Sequence, residues 1–115
     1  MEYKTLSPEQ IQHFLDYGFV HLTDCFDTDF AAQSTSAAFD RLGYVETDFN
    51  TWERPIIHMP NENAVNVKEF APKVYGAFCD LLGGEDRIAQ PVKWADGYIV
   101  NFHLGAERDW VPPSP

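Results

Sequence analysis

The stretch GYIVNFHLGAERDWVPPSP, Gly97 to Pro115, carries the strand on which the fold reading turns. Tyr98 to Phe102 is a run of aromatic and β-branched residues, the composition of a strand. Side chains alternate across a strand. Tyr98, Val100 and Phe102 therefore share one face, which is wholly apolar and is predicted to meet the core. Ile99 and Asn101 share the other, with His103 next along it. Asn101 has two readings: a half-buried amide with its hydrogen bonds satisfied, or a polar group set in the apolar wall of a ligand cavity. After the strand, Pro112, Pro113 and Pro115 read as a loop that leads onward. A strand this apolar needs a neighbour on each edge and a layer above it, because an exposed edge invites aberrant pairing.

Upstream, the sequence predicts a layer of helices. LSPEQIQHFLDYG places Ser7 as N-cap, Pro8 at the first helical position and Gln10 where a capping box needs it; Gly18 closes the helix. Ile11, Phe14 and Leu15 recur at helical spacing. Phe19 to Leu22 alternates and predicts a short strand. A second helix follows, with Asp27 as cap, Gly43 as terminator and a lean stripe of Phe30, Ser34, Ala37, Ala38 and Leu42. Those small residues predict close packing against another element. Tyr44, Phe49 and Trp52 lie in an irregular aromatic segment, and His58 is read as a loop residue. PIIHM can form a short extended piece, with Pro55 confining it to a strand start or an edge. A third helix begins at Pro72 and ends at Gly83–Gly84. Val74, Tyr75, Phe78, Leu81 and Leu82 form its expected buried stripe, and Cys79 lies on its apolar face. Ala95-Asp96-Gly97 predicts a turn.

Composition narrows the functional classes. The 115 residues suit one domain, and 44% hydrophobic with 15% aromatic content is globular. The net charge of −10, from 18 acids and 8 bases, disfavours nucleic acid, whose binding needs Lys and Arg on phosphates. The same charge is repelled by anionic membrane surfaces. No apolar run approaches the ~18 residues of a membrane span, and MEYKTLSPEQ is not a signal peptide, so a cytoplasmic location is expected. Cys25 and Cys79 are read as reduced thiols.

No catalytic constellation is legible. His13, His21, His58 and His103 are followed two residues later by Leu15, Thr23, Pro60 and Gly105, so no H-x-D or H-x-E is present. Neither H-x-x-H nor G-x-S-x-G occurs. Asp24, Asp27 and Asp29 crowd a helix start, where the dipole favours acids, and lack the oxygen spacing of a calcium loop. No catalytic residue and no metal ligand is nominated.

Three segments together resemble a known family: LSPEQIQHFLDYGFVHLTDCFD, FAPKVYGAFCDLLGGEDRI and WADGYIVNFHLGAERDWVPPSP. Their order, the D-L-L-G helix end, the W-x-x-x-x-I-V-N-F strand and the W-x-P-P-S loop are similar to the amino-terminal half of the phytanoyl-CoA dioxygenase family. Those enzymes are Fe(II)- and 2-oxoglutarate-dependent oxygenases with a jelly-roll core. The resemblance implies an α+β fold: a helical layer plus the first strands of a jelly roll, apparently incomplete, with residues 1–115 as the amino-terminal portion of one oxygenase-like domain. The family's iron ligands, an H-x-D and a distant His, would fall beyond Pro115, so none is carried onto this chain. The whole enzyme would use Fe(II) and 2-oxoglutarate to hydroxylate a small organic substrate, whereas the chain alone is expected to hold no cofactor and to be inactive. Asn101, with His103 and Trp110 as entrance residues, is nominated for the substrate or cosubstrate pocket. The strand Tyr98 to Phe102 is a candidate surface for self-association. The alternatives are a non-catalytic binding module or split-assembly half derived from the family, and an unrelated small α+β domain.

Overall fold

A computed structural model describes residues 2–102 together with Asp109 and Pro112. Local chemistry sets the helices. In α1, Pro8–Tyr17, the Ser7 side chain accepts from the Gln10 N–H at 3.1 Å, and the Gln10 carbonyl oxygen accepts from the Ser7 N–H at 2.9 Å. This reciprocal cap satisfies two N–H groups that a helix start leaves without partners. Gly18, at φ 82°, ends α1 in the left-handed conformation that a Cβ disfavours. Asp27 caps α2, Thr28–Leu42, by accepting from the Asp29 N–H at 2.8 Å. A short helix α3, Val67–Phe70, breaks at Ala71, and α4, Pro72–Leu82, begins with proline at its first position.

Four three-residue strands form two antiparallel pairs. Strand β1, Ile56–His58, pairs with β4, Ile99–Asn101, with Ile57 opposite Val100. Strand β2, Ala64–Asn66, pairs with β3, Lys93–Ala95, with Val65 opposite Trp94. The chain is thus a mixed α+β structure with two small antiparallel sheets among the described residues. Its core centres on Val67, Ala71, Tyr75 and Cys79, with Phe70, Ile88 and Trp94 packed around them. None of the helices described is long and apolar enough to cross a membrane.

Several expectations change. Phe19 to Leu22 is not a strand; no described strand runs beside it to complete a ladder. His58 belongs to β1 rather than to a loop. In α1, Leu15 is 69% exposed, because helical periodicity marks an apolar face without supplying something to cover it. In α4 the buried residues are Tyr75, Gly76, Ala77 and Cys79, while Phe78 and Leu82 of the expected stripe are exposed. The inward face is rotated because the amino-terminal segment packs on this helix. Thr5 lies against Gly76 in space that a Cβ would fill. The Asp80 carboxylate accepts from the backbone N–H groups of Lys4, Thr5 and Leu6 at 2.7–2.8 Å.

Candidate functional site

A concavity lies beneath α2. It holds about 690 Å³ and is bounded by α2, by α3 and α4, and by β3 and β4. Phe30, Ala38, Val74, Trp94 and Val100 contribute to its wall. The small residues of α2, predicted to pack closely, instead leave this space open. The helix is held at its two ends. Near its start, Phe30 stacks on Phe70 at 5.1 Å and meets Trp94 edge-on at 5.9 Å. Near its end, Phe39 packs on Trp52 and Phe102. Ser34 and Ala38, between these anchors, are too short to reach the opposite wall.

Arg41, in the last turn of α2, adds a polar anchor. Its guanidinium donates to the carbonyl oxygens of Asp96 and Pro60 and pairs with the Asp96 carboxylate at 3.4 Å and with Glu62 at 3.2 Å. The Asp96 carboxylate also accepts from the Asn63 N–H at 2.8 Å, the Glu62 N–H at 2.7 Å and the Asn63 side-chain amide at 3.0 Å. Those backbone and side-chain donors, with Arg41 behind them, hold its carboxyl down to about 2. A smaller cavity of about 170 Å³ adjoins this pair. The sequence marked Asp96 only as a turn residue. The Asp-Gly pair was the available signal, since aspartate in a turn accepts from nearby backbone N–H groups.

A second polar group involves the core residue Tyr75. The Glu85 carboxylate accepts from Lys68 at 2.8 Å and from the Tyr75 hydroxyl at 2.9 Å, and Gln90 donates to that hydroxyl at 2.8 Å. The Lys68 bond is the main cause of a lowered Glu85 pKa, with the Tyr75 bond next. The arrangement is closed on itself and presents no nucleophile beside a base.

Of the residues nominated from sequence, Asn101 is described. It stands opposite Ile56 in the β1–β4 pair, is exposed, and contributes to the wall of the large cavity. Tyr98, Val100 and Phe102, the face expected to meet the core, are half-buried. His103 and Trp110 lie outside the described residues. Among the described residues, no group of three or more His, Cys, Asp or Glu side chains is placed to hold a metal ion. No chemistry is assigned through an iron centre. No family model, curated protein or solved structure matches the chain.

Proposed function

We propose that this chain is the amino-terminal segment of an Fe(II)- and 2-oxoglutarate-dependent dioxygenase that hydroxylates a small organic substrate. Its share of the work is structural: a helical layer, the first strands of a jelly roll, and an apolar wall of the substrate pocket. The observation that carries this reading is the placement of β4. Residues 98–102, which contain it, all line a cavity shared with α2 and α4, with Tyr98, Val100 and Phe102 half-buried and Ile99 and Asn101 exposed. Short antiparallel strands with helices against one face are what the resemblance leads one to expect. The iron ligands, the 2-oxoglutarate site and most of the jelly roll would be supplied by other residues of the parent enzyme, in a cytoplasmic setting.

A second reading has one observation in its favour. Residues of α2, α3, α4, β3 and β4 within this chain line the cavity, which suits a non-catalytic binding module derived from the same family. Turnover separates the two. The 115-residue chain and a chain extended by its downstream coding sequence would each be given Fe(II) and 2-oxoglutarate. The oxygenase reading expects succinate from the extended protein, lost on chelation, and none from the 115-residue chain. An extended protein that folds and makes no succinate in the presence of candidate substrates would favour the binding module.

A further inference from the structure

We infer that the cavity beneath α2 binds the uncharged, apolar part of a small organic molecule, which narrows the substrate class of the proposed oxygenase and rests on that reading. The volume of about 690 Å³ falls within the range of roughly 300–1,000 Å³ typical of small-molecule pockets. Charge is the selective feature. The protein carries a net charge of −10, yet no Asp, Glu, Lys or Arg is among the described residues that line this space. Among the described lining residues, the polar groups are carried by the side chains of Ser34, Thr35, Trp94, Tyr98 and Asn101. An ion moved here would lose part of its hydration and find no counter-charge among the described lining residues, and a buried charge is tolerated only when paired. A hydrocarbon or ring system would instead gain from removing its own surface and that of Phe30, Phe70 and Trp94 from water. Acyl chains and neutral ring compounds fit this description, and zwitterionic amino-acid derivatives do not. Phe26 and Phe78, 52% and 36% exposed, stand at the margin as apolar contacts for an entering ligand.

Binding is testable without iron or 2-oxoglutarate, so its outcome is separate from that of the turnover experiment. The uncharged dye Nile red would be titrated into the 115-residue chain and displaced with 1-decanol, decanoate or decylamine, which share a chain length and differ in charge. Saturable binding is expected, with the alcohol displacing dye at least about tenfold more effectively than either ion, a difference equivalent to one decade in dissociation constant. Ala38→Trp, which fills the cavity, is expected to abolish binding. Ala32→Trp, on an exposed position of α2, should leave it unchanged. Far-UV circular dichroism would establish that both variants keep their helices, and the displacement series stands on the unsubstituted chain if Ala38→Trp does not fold. Absence of saturable binding, equal displacement by the ions, or undiminished binding to a folded Ala38→Trp would each overturn the inference. Failure here together with succinate production by the extended enzyme would remove the ligand class and leave the oxygenase reading standing.

Discussion

Asp96 joins three parts of the chain: the turn before β4, the segment before β2 and the end of α2. Its pKa is lowered from 3.8 to about 2 in the folded protein. A depressed carboxyl contributes stability above its unfolded value, and that contribution is lost as pH falls through the folded value. Thermal unfolding followed by circular dichroism should therefore show a midpoint that drops between pH 3.8 and about 2. Asp96→Asn should lower the midpoint at neutral pH and flatten this acid limb; an unchanged slope would mean that other carboxylates dominate it. Asp80 obeys the same sign. Burial pushes its pKa up, but the N–H groups of Leu6, Lys4 and Thr5 outweigh that and hold it below the ordinary carboxylate range. Asp80→Ala leaves those three donors without their acceptor and should cost about 1–3 kcal/mol. Proteolysis near the amino terminus should accelerate in this variant, because the segment that it ties to α4 is released.

The elements were legible where the signal is local. The Ser7–Gln10 box, the Asp27 cap and the terminating glycines each satisfy backbone groups within a few residues, and Pro72 at a helix start removes a donor that would lack a partner, so spacing alone located them. Gly18→Ala tests this locality. A Cβ at Gly18 meets nothing within 4 Å, so the penalty is purely conformational. It should be about 1–2 kcal/mol, the cost of left-handed backbone for a residue with a Cβ, read as a lower urea midpoint with an unchanged slope. What sequence could not supply was the partner of each face. The pairing of β2 with β3 brings together residues far apart in the chain, and Trp94 gave no hint of a strand. The amphipathic stripe of α4 was read as facing one neighbour, whereas Thr5 against Gly76 and the Asp80 contacts turn it. The lean stripe of α2 predicted tight packing; large aromatics at both ends of the helix prop it above an open space instead. Asn101 was legible as a polar residue on an apolar strand, but its place at a cavity wall depends on α2, which the sequence does not position.

The whole molecule is open for its length. Its radius of gyration is 18.3 Å, against about 13 Å for a compact domain of roughly 100 residues. Large apolar side chains stay exposed, among them Ile99 at 73% and Phe49 at 66%. On the proposed function, further strands of the parent enzyme would cover such surfaces. In their absence, the strand Tyr98 to Phe102 is proposed to associate with a second copy. Sedimentation velocity should then show a concentration-dependent shift above the monomer, suppressed by Ile99→Lys; a monomer at every concentration would remove that surface from the account. The sequence of the transcript that encodes this chain, read past the codon for Pro115, bears most directly on the central claim. The account predicts an in-frame H-x-D shortly after the W-x-P-P-S loop, then a distant His and a downstream Arg. A stop codon with no H-x-D continuation in any frame would contradict it.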